Sequence, residues 1–252
     1  MEKRVSLITG ASGGIGRAIL REFAQKGWMT IGVDRAPFPG EFPEESVFIQ
    51  GDISSPEDWK GILEEVMKHT DHLDVLINNA AVQITKPLLE TTLEEWDLVM
   101  KTNLRSVFLS VKSVFDLLKK EGGGAIVNVS SVHAVATSQD IAAYATSKGG
   151  ILALTRAMAI EFAADDVRVN AVLPGAVDTN MLRNGLARDH AGEGSLQQRL
   201  ENLASNTVNG RIGQPEEVAR AIFFLADREQ SSFITGQPMI IDGGATSRLS
   251  TE

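Results

Sequence analysis

The chain has no cysteine, which excludes a disulfide, a thiolate nucleophile and a sulfur-ligated metal. Its four histidines, His69, His72, His133 and His190, are scattered, so a histidine-built metal centre is not expected and no metal is assigned. No apolar run is long enough to cross a bilayer. The opening MEKRVSLITG has a basic pair but no continuous apolar segment before Gly10, unlike a secretory signal. Basic charge is in deficit, with 24 Lys and Arg against 33 Asp and Glu. A net charge of −9 repels a phosphate backbone and argues against nucleic acid and anionic membranes as partners. These exclusions leave a cytoplasmic protein, 43% hydrophobic and 23% charged, whose 252 residues suffice for one α/β domain spanning 1–252.

What is present begins with a short apolar run, Val5 to Thr9, followed by a glycine cluster and then a helical pattern at Ile15, Ile19, Leu20 and Phe23. Gly10, Gly14 and Gly16 form G-x-x-x-G-x-G, a spacing that lets the backbone turn tightly and approach a pyrophosphate at a helix N-terminus. The next apolar run, Met29 to Val33, ends at Asp34, eighteen positions after Gly16. A carboxylate there accepts hydrogen bonds from the ribose hydroxyls of NAD and repels the extra phosphate of NADP, so NAD is the expected cofactor. Arg35 follows it, read as solvated, and the proline-rich stretch Ala36 to Ser46 is a surface loop.

Further strands are expected at Val47 to Gln50, Leu73 to Ile77, Ala125 onward, Val167 to Leu173 and Pro238 to Ile241. The helices between them begin at Ser55, span Leu93 to Leu118 and Ala142 to Phe162, and include Pro215 to Leu225. Alternating strands and helices imply a doubly wound parallel sheet, with ligands at the carboxyl ends of the strands. Gly10, Asp34, Asp52 and Asn78 fall at that edge, as one long ligand would require. Asn103 within the long helix is either a solvated blemish or a kink. The irregular segment from about 177 to 211, with a weak helix around Leu196 to Leu203, reads as a lid over the substrate.

The stretch from Ser131 to Lys148 carries the reactive chemistry. Tyr144 and Lys148 are four positions apart and share a helix face. A phenol with a pKa of roughly 10 is a poor base at neutral pH, and an adjacent ammonium favours its phenolate. The plain alternative is a half-buried aromatic beside a solvated lysine.

Taken together, these pieces resemble the short-chain dehydrogenase/reductase family from Val5 to about Gly244: TGASGGIG from Thr9, Asp52, NNA from Asn78, Asn103, Ser131, YATSK from Tyr144, PGAVDT from Pro174, GRIGQPEEVA from Gly210 and IDGG from Ile241. The resemblance implies a Rossmann fold of seven parallel strands, a nicotinamide cofactor and a catalytic tetrad of Asn103, Ser131, Tyr144 and Lys148. In it Tyr144 exchanges a proton with the substrate oxygen and Ser131 hydrogen-bonds that oxygen. Lys148 lowers the phenol pKa and holds the nicotinamide ribose, and Asn103, at a helix kink, supports a water that relays protons. The resemblance assigns the pyrophosphate turn to Gly10, Ser12, Gly14, Ile15 and Gly16, and the adenine to Asp52 and Ile53. It puts Asn79 and Ala80 against the adenosine ribose, and Val177 and Thr179, after Pro174 and Gly175, against the carboxamide. Ala81 departs from the family's usual glycine, which suggests a repacked turn.

Gln83 and His133 fall where family members place substrate contacts, and Arg183, Arg188 and Arg199 in the lid suit a carboxylate or phosphate or else solvent. The expected function is NAD-dependent interconversion of a secondary alcohol, whether polyol, sugar or hydroxy acid, with its ketone. The alternatives are a 3-oxoacyl carrier-protein reductase and a non-catalytic dinucleotide-binding regulator. The family resemblance also implies a homotetramer formed through the two long helices.

Overall fold

The structure, a computed structural model, describes residues 3–120, 122–187 and 194–247. Runs of aliphatic and β-branched residues form β1 (Val5–Thr9), β2 (Met29–Asp34), β3 (Val47–Gln50), β4 (Val75–Asn78), β5 (Ala125–Val129), β6 (Arg168–Pro174) and β7 (Pro238–Ile241). They pair in parallel in the order β3-β2-β1-β4-β5-β6-β7. Every residue of β1, β4, β5 and β6 is buried, which is why these runs are apolar throughout instead of alternating. The order reverses between β1 and β4, so the connections leave those two strands in opposite directions and a crevice opens at their carboxyl ends.

The crossovers supply α1 (Gly14–Gln25), α2 (Pro56–Met67), α3 (Leu93–Met100), α4 (Ser106–Leu118), α5 (Ala142–Glu161), α6 (Asn180–Leu186), α7 (Leu196–Ser205), α8 (Pro215–Ala226) and the short α9 (Arg228–Ser231). One sheet face packs Ile8, Ile77 and Val127 against Ile19 and Phe23 of α1 and Ile222 and Phe223 of α8. The opposite face packs Leu7, Leu76 and Ile126 against Trp59 of α2, Val111 and Val114 of α4 and Ile151 of α5. Two cores cover the two faces of the sheet and leave its carboxyl edge open.

Three differences from the sequence reading have local causes. β4 begins at Val75 because the Leu73 amide donates to the Leu117 carbonyl at the end of α4 (3.0 Å) instead of joining the ladder. The segment Leu93 to Leu118 is not one helix. α3, opened by a Thr92/Glu95 capping box, gives way to a π-helical turn at Lys101–Arg105 before α4 begins. Asn103 lies in that turn, so its place in the helix is a kink. In the segment expected to be irregular, α7 occurs where the weak pattern lies, and α6 is an additional helix. Its seven residues include Asn184 and Gly185, poor helix formers, and it is started by the Thr179 hydroxyl accepting from the Leu182 amide (3.3 Å).

Candidate active site

The crevice is built first by close approach of backbone. Gly10 has φ of 69°, and a Cβ there would lie 2.7 Å from Ala80 Cα; a Cβ on Gly16 would lie 2.1 Å from the Gly10 carbonyl oxygen. Only glycine fits either position. The ends of β1 and β4 are stitched by Thr9 and Asn79. The Thr9 hydroxyl accepts from the amides of Asn79 (3.1 Å) and Ala80 (3.3 Å), and Asn79 Nδ2 donates to the carbonyls of Thr9 (3.0 Å) and Gly10 (3.1 Å). Thr179 closes over the turn, its Cγ2 2.9 Å from where a Gly14 Cβ would be.

At the end of β2 the Asp34 carboxylate accepts from the Ser12 amide (3.0 Å) and the Ala36 amide (2.9 Å), which ties it to the glycine turn. The proline-rich loop after it is anchored by Phe38, Phe42 and Phe48, whose rings lie 4.8–5.8 Å apart. At the end of β3, Asp52 accepts from the Ser54 amide (2.9 Å).

On the other side of the reversal, β5 delivers Ser130 and Ser131, and α5 brings Tyr144 and Lys148 beside them. Lys148 is only 1% exposed; its Nζ donates to the Val129 carbonyl (2.8 Å) and lies 5.5 Å from the Tyr144 ring centroid. Burial pushes the Lys148 ammonium down to about 7. Burial also pushes the Tyr144 phenol up to about 12, against a hydrogen bond from Ser131 that favours the phenolate. The expectation that Lys148 draws the phenol below its ordinary value is therefore not met in the protein alone, because desolvation disfavours both charges at once.

Asn103 does not line the cleft. It is buried behind it, where Nδ2 donates to the Val82 carbonyl (2.9 Å) and the Ser147 hydroxyl (3.1 Å) and Oδ1 accepts from the Val82 amide (2.8 Å). Ser147 in turn donates to the Tyr144 carbonyl (2.7 Å). Both amide hydrogens are committed to protein acceptors, so the Asn103 side chain braces the loop after β4 against α5. Asn78, read as an edge residue, also faces inward. It bonds Asn128 (2.9 Å) and Ser110 (2.6 Å), because alternation along β4 turns it toward α4 and leaves Asn79 at the cleft.

A single cleft of about 1080 Å³ is lined by Gly10, Ser12, Gly14, Ile15, Gly16, Asp34, Asp52 and Ile53 on the β1–β3 side, by Asn79 and Ala80 at the reversal, and by Ser131, Tyr144, Lys148, Pro174, Gly175, Val177 and Thr179 on the β5–β6 side. Gln83 and His133 line it too. The His133 ring is edge-on to Tyr144 at 6.0 Å, its Nδ1 is 3.1 Å from the Thr137 hydroxyl, and burial holds its pKa below the ordinary value. Gln83 donates to Thr85 (3.3 Å) and reaches Gly185 of α6. Asp140, in the stretch between His133 and Ala143 that the sequence offers as a pocket wall, and Met181, Leu182, Leu186 and Leu203 of α6 and α7, in the segment expected as a lid, also line the cleft, although none of the five stands out individually in the sequence. The apolar spacing after Thr179 was the available signal for the last four.

Arg183 pairs with Asp178 through two bonds (2.7 and 2.9 Å), Arg199 donates to the Leu186 carbonyl, and Arg188 lies outside the described residues. Ala81 causes no strain, since the non-glycine residues with left-handed φ among those described are Glu45, Asp140 and Asp166. No described helix is long and apolar enough to cross a membrane.

A family model described as Enoyl-(Acyl carrier protein) reductase matches residues 10–246. A cyclopentanol dehydrogenase of Comamonas sp. is 36% identical over 199 residues, covering 79% of this chain and 76% of that one. A 3-oxoacyl-[acyl-carrier-protein] reductase of Thermotoga maritima is 35% identical over 252 residues, covering 97% and 98%. The ligand-free aldohexose dehydrogenase of Thermoplasma acidophilum has the same fold, with a TM-score of 0.92 at 30% identity over 99% of this chain and 96% of that one. The chain belongs to the short-chain dehydrogenase/reductase family, oxidoreductases that act on CH–OH groups and bind a nicotinamide dinucleotide. Membership in this enzyme family sets aside the reading as a non-catalytic regulator.

Proposed function

We propose that this protein is an NAD-dependent dehydrogenase interconverting a secondary alcohol, of the polyol, sugar or hydroxy-acid kind, with its ketone. The observation that carries the reading is one cleft with Ser131, Tyr144 and Lys148 on one side of the strand reversal and the amide-held Asp34 carboxylate on the other. The residues present suit a dinucleotide: the glycine turn offers backbone amides that no Cβ shields, and the volume exceeds the ~300–1,000 Å³ of ordinary small-ligand pockets. In this reading the turn from Gly10 to Gly16 holds the pyrophosphate, Asp34 the adenosine ribose, Asp52 and Ile53 the adenine, and Val177 and Thr179 the carboxamide. When bound, the nicotinamide supplies the hydride acceptor or donor.

The chain supplies orientation and the proton. Ser131 hydrogen-bonds the substrate oxygen, Tyr144 takes or gives its proton, and Lys148 provides a positive charge that favours the phenolate. Asn103 acts as a positioning residue through Val82 and Ser147. The described parts of the segment 177–211, residues 177–187 and 194–211, serve as the lid on a single domain, with Met181 and Leu182 of α6 facing the substrate; residues 188–193 lie outside the described residues.

The cofactor choice rests on Asp34. Wild-type kcat/KM for NAD is expected to exceed that for NADP at least about 100-fold, roughly 2.7 kcal/mol of discrimination. Asp34→Asn should bring the two within about tenfold, because the repelling charge is gone. Equal use of both cofactors by the wild type would sink this part of the reading. The second reading, a 3-oxoacyl carrier-protein reductase, is favoured by the 35% identity to such an enzyme over nearly the whole chain. It predicts NADPH-dependent reduction of an acetoacetyl thioester, so the same assay decides between them. Exposed Phe108 on α4 (52%) and Ile160 on α5 (80%) support a homotetramer built on those helices, testable by light scattering.

A further inference from the structure

We propose that Asp140 is a substrate-binding residue that accepts a hydrogen bond from a second hydroxyl of the substrate. It thereby directs the enzyme to neutral diols, polyols or sugars and away from hydroxy acids. The inference rests on the dehydrogenase reading above and narrows its substrate class.

Three described non-glycine residues have left-handed backbone. Such positions strain an L-residue and persist where the surroundings impose them. Two of them have committed carboxylates: Glu45 pairs with Lys3, and Asp166, which is left-handed as the cap of the turn Ala163–Asp165, pairs with Arg228. Asp140, with φ of 61°, has no such partner; among the described residues nothing hydrogen-bonds its carboxylate, although it is partly buried and lines the cleft. Its backbone is firmly held. The Asp140 carbonyl accepts from the Lys86 amide (2.6 Å), and the Lys86 ammonium pairs with Glu95 (3.1 Å), the capping-box residue of α3. A strained, pinned backbone thus presents an uncommitted carboxylate just before the helix that carries Tyr144.

The surroundings set what that carboxylate can bind. Gln83, Thr85 and His133, whose pKa burial holds below the ordinary value, give the cleft a polar wall, and Leu182 and Leu186 of α6, the helix whose Gly185 lies against Gln83, give it an apolar one. An ionised carboxylate only accepts hydrogen bonds, and its bonds from hydroxyls are short and strong. A substrate carboxylate would instead meet like charge. Among the described lining residues no cation pairs with Asp140: Arg17 and Arg35 belong to the α1 and β2 side, and Lys148 directs its Nζ to the Val129 carbonyl beside Tyr144. A molecule with an apolar face and a hydroxylated edge fits both walls.

The test uses the full-length enzyme with NAD and compares a linear hexitol, cyclohexanol and a 3-hydroxy acid. Asp140→Asn keeps the shape and tolerates left-handed φ; Asp140→Gly removes the side chain and relieves the strain. For the hexitol, kcat/KM should fall about tenfold in the asparagine variant and up to about 100-fold in the glycine variant, chiefly through KM. Cyclohexanol should change by less than threefold, and the hydroxy acid should improve in both variants. Equal effects on hexitol and cyclohexanol, or a hydroxy acid as the best wild-type substrate, would overturn the proposal. If none of the three compounds is turned over, the dehydrogenase reading fails on its own account. Calorimetric titration of the hexitol into NADH-loaded wild type and Asp140→Gly then still decides the role of Asp140: weakened binding in the variant supports it, and equal binding or none to either protein overturns it.

Discussion

Tyr144→Phe is expected to lower kcat by about 10³-fold or more while dinucleotide affinity stays within threefold of wild type. The substitution removes one oxygen, the atom in contact with Ser131, and leaves a ring that still packs edge-on against His133. Proton transfer by a positioned side chain is worth roughly 10²–10⁴-fold, and no second tyrosine exists to replace it. Cofactor affinity should survive because the glycine turn and Asp34 stand on β1 and β2, across the reversal from α5. Stopped-flow turnover and fluorescence titration check the two halves, and retained turnover would sink the mechanism. The lone tyrosine also makes its ionisation directly readable, since a ¹³C-tyrosine label gives one resonance. In the protein alone that resonance should titrate near 12, and Ser131→Ala should move it higher by removing the bond that favours phenolate. A midpoint at or below the ordinary 10.0 would contradict the dominance of burial.

Lys148→Met is expected to remove most activity and, at neutral pH, to stabilise the fold. The ammonium falls from 10.5 in the unfolded chain to about 7 when folded. Between those values the unfolded state binds the additional proton, so wild-type stability should rise as pH increases from about 7 toward 10.5. At and below pH 7 the burial cost is present almost in full, on the order of 4–5 kcal/mol for a shift of this size. Methionine removes that cost but leaves the Val129 carbonyl without its donor, a loss of about 1–3 kcal/mol. The net gain should therefore be a few kcal/mol at pH 7, shrinking to nothing and then reversing by pH 9.5. Urea denaturation from pH 6.5 to 9.5 reads the slope; staying below pH 10 keeps the Tyr144 ionisation out of the window. A wild-type stability that is flat over that range would show that Lys148 keeps its ordinary pKa. The charge that strains the fold is the one the proposed chemistry needs.

The strands, the glycine turn and the Tyr144–Lys148 pair were legible in the chain because each is local. Apolar runs predict strands, glycines at close spacing predict a tight turn, and four-residue spacing puts two side chains on one helix face. Gly16 shows the same point from the other side, since the 2.1 Å approach to the Gly10 carbonyl explains why no other residue could stand there. Family resemblance added Asn103 and Ser131, although periodicity alone left Asn103 ambiguous. The π-helical turn that carries Asn103, and the Val82 and Ser147 groups that use up its amide, come from partners 21 and 44 positions away.

What the tertiary structure alone decided depends on orientation and burial. Asn78 and Asn79 are adjacent in sequence, yet the pleat sends one into a hydrogen-bonded network with Asn128 and the other to the cleft. The sequence could state that Lys148 sits near Tyr144, but not that both groups lie away from water, which reverses the expected direction of the phenol shift. It shows an aspartate before α5 without showing its left-handed backbone or that nothing among the described residues bonds its carboxylate. Local spacing thus determined the sheet, the glycine turn and the pairing of Tyr144 with Lys148, and family resemblance gave that pair its chemistry. Solvation and side-chain direction, set by distant segments packing together, determined how the charges behave and what the cleft is shaped to accept.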